Sequence, residues 1–190
     1  MSALLHYRNE RTYPMKKLAL VLLASAPLLA QTPQIPTLQV CNGTTSVGGG
    51  TVQILARQDL QHTGKANIKI QMGCDPINGN GYPSGAFSMN VSFSDSSVAT
   101  VSSTTVEQYT TTGKHTPTLY ANGRCNASNP GAATIPCHWW LTIANNRGAN
   151  QPNGTPDIVG FLIVDKTGKR LTYGTGPLVS GDINITPTSN

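Results

Sequence analysis

Two residues suited to bind a ligand, His138 and Trp140, stand on either side of Trp139. In an extended strand, adjacent side chains point to opposite faces. We therefore expect Trp139 to lie in the core and Trp140 to lie on the outer face beside His138, unless a loop or a second sheet covers it. Exposed aromatic rings on a sheet commonly contact carbohydrate or protein partners. His138 and Trp140, together with Tyr82 from a separate loop, are therefore predicted ligand-binding residues.

A second candidate site is a loop that is rich in asparagine. Calcium prefers amide, carboxylate and carbonyl oxygens as ligands. The loop offers four amide oxygens and one carboxylate, from Asn145, Asn146, Asn150, Asn153 and Asp157. One carboxylate predicts weak affinity, and asparagine is also a common turn-forming residue, which is the simpler interpretation. The sequence therefore predicts no required cofactor and at most a weak calcium site.

No segment of the sequence matches a catalytic motif. The histidines after residue 30, which are His62, His115 and His138, have no recognisable catalytic partners in the sequence. Residues 81–85 contain a serine, but their order differs from the G-x-S-x-G turn that presents a serine nucleophile. The acidic residues are scattered, so nothing selects a pair for glycoside hydrolysis. We predict that the protein has no catalytic residues and is not an enzyme.

The chain has four cysteines, Cys41, Cys74, Cys125 and Cys137. An even number in an exported chain indicates two disulfide bonds, for which three pairings are possible. We favour Cys125–Cys137 because it closes a short loop, which leaves Cys41 to pair with Cys74. A zinc site is the alternative, but no Cys-x-x-Cys pair is present.

The N-terminal part of the chain has the pattern of a secretory leader. Met15 and two lysines precede an apolar run over residues 18–29, and Ala30 follows this run. A basic start, an apolar core and a small residue at the end predict a signal peptide. The run is shorter than the roughly 20 residues of a membrane span, although a retained anchor is the alternative. We predict that residues 1–14 are an upstream extension, with Met1 or Met15 as the start. The protein is then secreted, periplasmic or at the cell surface, with no membrane span after cleavage.

The positive charge of the chain lies mostly in this leader. The formal net charge is +5, but residues 31–190 hold 9 basic and 7 acidic residues. No cluster of basic residues interleaved with aromatic residues occurs in this part. The sequence therefore does not predict nucleic-acid binding.

The rest of the chain predicts an all-β fold. Charged residues make up only 11% of the sequence, and residues 65–74 alternate strictly between apolar and polar, as a half-buried strand does. Residues 165–169 predict a hairpin turn with Gly168 in the left-handed conformation, and Gly48–Gly50 predict a flexible hinge or turn. We count eight or nine short strands and expect residues 31–190 to form one antiparallel β-sandwich, Ig-like or jelly-roll-like, with two disulfides. A barrel is the alternative.

The segment 137–185 combines a Trp-Leu-Thr-Ile-Ala-Asn-Asn strand, a Gly-Thr-Pro-Asp turn and a glycine-rich return strand that contains Tyr-Gly-Thr-Gly. This order resembles a strand–loop–hairpin unit of uncharacterised secreted bacterial β-sandwich modules. Those modules usually have an Asp-Asn-Gly loop, whereas this chain has Asn145-Asn146 and a longer insert. The resemblance implies an accessory or surface domain and carries no catalytic signature.

We therefore expect an exported, non-catalytic binding or structural module at the cell surface or in the envelope, whose partner is a protein, a polysaccharide or a second copy of the chain. One alternative is a subunit of a surface filament or coat, in which residues ahead of Gly48–Gly50 add a strand to an open sheet edge. Another is a calcium-dependent carbohydrate-binding protein or a small secreted hydrolase that uses the loops around Tyr82 and residues 145–157.

Overall fold

The computed structural model describes residues 41–42, 45–55, 58–75, 81–113, 116–146 and 155–186. The predicted leader, residues 1–30, lies outside these ranges. The described part of the chain forms ten strands, β1 to β10. They are Cys41–Asn42, Thr45–Ile54, Gly64–Asp75, Tyr82–Phe93, Thr100–Ser103, Gln108–Thr112, Thr118–Ser128, Ile135–Ala144, Ile158–Asp165 and Arg170–Ile185. The all-β prediction is confirmed. Among the described residues, no helix has the length and apolar character needed to cross a membrane.

Eight of the strands form a closed antiparallel barrel. The ring runs from β2 through β3, β4, β5, β7, β8, β9 and β10, and it returns to β2 because β10 also pairs with β2. Strand β6 pairs with β7 beyond the end of β5, and the short β1 pairs with β6 in parallel. The prediction of a β-sandwich is therefore wrong.

The length of β10 explains why the sheet closes. Its first half, from Arg170 to Pro177, pairs with β9, and its second half, from Leu178 to Ile185, pairs with β2. Alternation in the sequence shows which face of each strand is buried, but it does not show whether the first and last strands meet. Here they do, so every strand of the ring is paired on both sides, as full closure requires.

The three consecutive glycines Gly48–Gly50 lie inside β2, so the prediction of a hinge or turn is wrong. This strand pairs with β3 on one side and with β10 on the other. A Cβ atom on Gly49 would lie 2.3 Å from the carbonyl oxygen of Ile68, and one on Gly50 would lie 2.3 Å from that of Ser180. Glycine is required here because neighbouring backbones approach closely where the strand coils around the barrel.

Side chains fill the interior of the barrel. Trp139 is fully buried, its ring lies 5.1 Å from that of Phe87, and its indole N–H donates to the carbonyl of Arg124 at 3.1 Å. The prediction that Trp139 lies in the core is confirmed. An eight-stranded barrel either is filled by its own side chains or holds one small ligand. Here a continuous cluster of buried apolar side chains fills the described barrel, so we expect a binding site on the outer surface.

The disulfide bonds pair as predicted, Cys41 with Cys74 and Cys125 with Cys137. Cys125 and Cys137 are directly opposite each other on the adjacent strands β7 and β8. The bond from Cys41 instead joins β1, which is outside the ring, to β3 within it. This second disulfide therefore holds a two-residue strand against the barrel.

The β9–β10 hairpin forms at the predicted residues, and Gly168 has the expected left-handed conformation with φ of 83°. Asp165 organises the turn, because its Oδ1 accepts hydrogen bonds from the backbone N–H groups of Thr167 at 2.8 Å and Lys169 at 3.0 Å. The Thr167 hydroxyl also donates to this carboxylate and lowers the pKa of Asp165.

Candidate functional site

The outer face of β7 to β9 carries aromatic and aliphatic side chains on three adjacent strands, which are exposed on β7 and β9 and partly buried on β8. Trp140 on β8 is directly opposite Leu162 on β9, and Tyr120 on β7 is opposite Thr142, the next outward residue of β8. Tyr120 and Leu162 are 37% and 38% exposed, and Ile158, further along β9, is 43% exposed. We refer to Tyr120, Trp140, Ile158 and Leu162 as the aromatic strip.

Polar side chains are held in place beside the aromatic strip. The side-chain amide of Asn122, which is opposite Trp140, donates to Oε1 of Gln108 at 3.0 Å and to the hydroxyl of Tyr120 at 3.2 Å. The His138 ring lies 6.2 Å from the Trp140 ring on the same face. The strip therefore combines ring faces for stacking with amide and hydroxyl groups of fixed position.

The outward position of His138 and Trp140 follows from alternation along β8, and this prediction is confirmed. His138 is exposed and Trp140 is partly buried. Tyr82 is 61% exposed, but it lies on β4, which β5 and β7 separate from β8. The structure therefore does not bring Tyr82 to the strip. Sequence analysis missed Tyr120 and Leu162, because only the pairing register of β7, β8 and β9 places them beside Trp140.

The outer face of the other half of the barrel carries exposed apolar side chains, Val47, Tyr82 and Val179, as well as a polar row. One row across six strands consists of hydroxyl and amide side chains, namely Ser180, Thr51, Asn67, Asn90, Thr100 and Ser128. A groove of about 720 Å³ lies above Gly48–Gly50 on this half, and none of the described residues that line it is aromatic. Its glycines are already explained by the close approach of neighbouring backbones. We therefore favour the aromatic strip as the ligand-binding surface.

Asp157, the carboxylate of the predicted calcium loop, is fully buried. Its Oδ1 accepts a hydrogen bond from the backbone N–H of Asn146, and its Oδ2 accepts one from that of Ile183, both at 3.0 Å. The Asn146 side chain donates to the carbonyl of Pro156 at 3.0 Å. Asp157 and Asn146 therefore fasten the β8–β9 connection to β10.

The calcium site itself stays a prediction. Asn150 and Asn153 lie outside the described residues, and Asn145 is buried beside Asn146. Within the described ranges, no group of three or more His, Cys, Asp or Glu side chains is placed to hold a metal ion. Both oxygens of Asp157 face N–H donors, so a cation would have to displace hydrogen bonds that hold the fold together.

A buried histidine, paired with an exposed aspartate, lies at one end of the barrel. His62 is 2% exposed, and its Nδ1 lies 2.5 Å from Oδ1 of Asp95. The imidazole lies between the rings of Tyr173, at 3.9 Å, and Phe93, at 4.4 Å. Strand β2 pairs with β10 only from Leu178 onward, so His62 occupies the end of the barrel where the first half of β10 extends past β2.

The position of the second ring nitrogen argues against a catalytic role for His62. A general base must reach the proton that it abstracts from a substrate. Nε2 of His62 is buried and, in the described part of the chain, has no hydrogen-bond partner. The pair is therefore best explained as packing that fixes the β2–β3 connection. His115 lies outside the described residues.

Comparison of the chain with protein-family models, curated proteins and solved structures finds no match. The fold alone does not imply a function. The function is therefore inferred from the geometry and chemistry of the surface.

Proposed function

We propose that this chain is an exported, non-catalytic barrel that binds a polysaccharide at the cell surface through the aromatic strip. One observation carries the proposal, the outward-facing rings of the exposed Tyr120 and the partly buried Trp140 beside the hydrogen-bonded amide of Asn122. Sugar rings present C–H faces that stack on aromatic rings and hydroxyls that pair with amides. Binding sites in general combine an apolar surface with a few polar groups of fixed position.

The cysteines support the exported location. All four are joined in two disulfides, and none is free. Disulfide bonds persist in oxidising compartments and are rare in the cytosol. The location therefore agrees with the predicted signal peptide in the sequence.

The composition of the strip favours a polysaccharide over a protein partner. Cores of protein–protein interfaces are more apolar than the rest of the protein surface. Here polar side chains lie between the apolar ones, since Asn122 is beside Trp140, and Thr142 follows it on β8. A ligand with alternating C–H and O–H groups matches this arrangement. A second copy of the chain remains the competing occupant, and the experiment below separates the two.

Strand exchange into a filament requires an open sheet edge. Each of the eight strands of the described ring is paired on both sides, so the open edge among the described strands is that of the two-residue β1, which pairs with β6 alone. Residues 31–40, the proposed donor segment, lie outside the described residues.

Replacement of Trp140 by alanine is expected to weaken binding to a neutral polysaccharide. Native gels that contain hydroxyethyl cellulose, laminarin or dextran retard a protein that binds the polymer. We expect at least one of these gels to retard the wild type, and the Trp140→Ala variant to bind about tenfold to a hundredfold more weakly, as for an aromatic residue at the centre of an interface.

The matched control is Tyr82→Ala, which removes an exposed aromatic ring away from the strip and should leave retardation unchanged. Equal retardation of Trp140→Ala and the wild type would contradict the proposal. A wild type that passes all three gels freely and is a dimer by light scattering, but becomes monomeric in Trp140→Ala, would identify the strip as a self-association surface instead.

A further inference from the structure

A groove of about 320 Å³ lies on the outer face and is lined in part by Tyr120 and Ile158 of the aromatic strip. Its floor is the opposed pair Thr142 and Gly160, which is one outward position along from the pair Trp140 and Leu162. Thr175 of β10 is opposite Gly160 on its other side. The groove is therefore continuous with the aromatic strip.

The groove exists because Gly160 has no side chain. A Cβ atom at this position would lie 2.8 Å from Oγ1 of Thr142 and 3.2 Å from Oγ1 of Thr175, so two hydroxyls converge on the space above the glycine. A Cβ atom at position 160 would make its closest contacts only with side-chain atoms, whereas a Cβ atom at any of Gly48–Gly50 would contact the backbone of a neighbouring strand. Glycine is therefore not required here by the path of the backbone, and its effect is to leave the space open.

The polarity of the groove defines the ligand that it fits. Its lining includes five threonines, with Tyr120 and Ile158 as apolar walls, and none of the described residues that line it is charged. An anionic or cationic ligand would find no opposite charge among these residues. A neutral ring with several hydroxyls would meet threonine donors and acceptors together with an apolar wall.

We infer that the space above Gly160 is a second subsite for a neutral sugar. One sugar residue of the polysaccharide stacks on Trp140, and a nearby residue of the same polysaccharide occupies this space. This inference rests on the proposed function. Outward positions two residues apart on a strand are separated by about 7 Å. Nearby residues of one sugar chain can therefore contact Trp140 and the Gly160 space together.

Two substitutions test the subsite in the same polysaccharide gels. Gly160→Val fills the space, and Thr142→Val removes one converging hydroxyl with little change of shape. We expect Gly160→Val to weaken binding about tenfold or more and Thr142→Val to weaken it about threefold to tenfold. The matched control is Thr100→Val, an outward threonine in the polar row on the other half of the barrel, which should bind like the wild type. Circular dichroism melting curves establish whether each variant is folded.

The outcomes separate this inference from the proposed function. If Trp140→Ala weakens binding while Thr142→Val and folded Gly160→Val bind like the wild type, the subsite is wrong and the proposed function stands. If all of these variants are retarded as strongly as the wild type, the subsite and the proposed function are both wrong. A wild type that is retarded only by an anionic polymer such as alginate would also contradict a neutral subsite.

Discussion

Replacement of Asp157 by alanine is expected to lower the free energy of unfolding by about 3–5 kcal/mol, because buried N–H groups that lose their acceptor cost about 1–3 kcal/mol each. The fully buried carboxylate accepts from the N–H groups of Asn146 and Ile183. Alanine would leave both donors without this partner and would release the β8–β9 connection from β10. Urea denaturation followed by tryptophan fluorescence measures the change.

Two control variants make the Asp157 prediction specific. Asp157→Asn keeps the shape and one acceptor oxygen, so its stability should lie between those of the wild type and the alanine variant. Asp182→Ala removes an exposed carboxylate from β10 and should change stability by about 0.5 kcal/mol or less. An Asp157→Ala protein that unfolds at the same urea concentration as Asp182→Ala would contradict this account of the carboxylate.

The second large effect is expected from removal of the disulfide between Cys41 and Cys74. Its cysteines are 33 residues apart, whereas Cys125 and Cys137 are 12 apart. Because a disulfide restricts the unfolded chain more when it closes a longer loop, its loss should cost about 4 kcal/mol, against about 3 kcal/mol for the shorter one. The double variants Cys41→Ser/Cys74→Ser and Cys125→Ser/Cys137→Ser test this by chemical denaturation.

The two disulfides also differ in how much strand pairing supports the residues that they join. Strand β1 pairs with β6 at only two positions, Cys41 with Tyr109 and Asn42 with Thr110. Without its disulfide, this strand has few described contacts to hold it. Strands β7 and β8, which Cys125 and Cys137 join, pair over ten positions. A less stable Cys125→Ser/Cys137→Ser variant would contradict the loop argument.

Local patterns in the sequence predicted the features that depend on a single strand. Alternation along β8 placed Trp139 inside and His138 outside, because neighbouring side chains on a strand point to opposite faces. Even the disulfide pairing followed from loop lengths. These predictions required no knowledge of which strands are neighbours.

Closure of the barrel could not be predicted in the same way. It depends on the pairing of Ser180 with Thr51, two residues that are far apart in the chain and carry no local signal of contact. The three glycines of β2 were misinterpreted for a related reason. Glycine is equally suited to a flexible turn and to close backbone contact, and only the neighbouring strands decide between the two.

In the candidate sites, too, the sequence predicted what depends on one strand and missed what depends on the pairing of several strands. Trp140 was found from its own strand, but Tyr120, Leu162 and Gly160 join it only through the register of three strands. Asp157 was considered as a calcium ligand because of the oxygen atoms near it in sequence. Its hydrogen-bond donor on β10, the N–H of Ile183, could not be identified without the fold.

The most direct test of the central claim, that the aromatic strip binds a neutral polysaccharide, is a nuclear magnetic resonance titration. The ¹⁵N-labelled protein is titrated with oligosaccharides of cellulose and of laminarin, and the shifts of its N–H signals are mapped onto the barrel. We predict that the largest shifts occur at the indole N–H of Trp140 and at the backbone amides of Tyr120, Thr142 and Leu162. Shifts confined to the groove above Gly48–Gly50, or no shifts with either sugar, would contradict the claim.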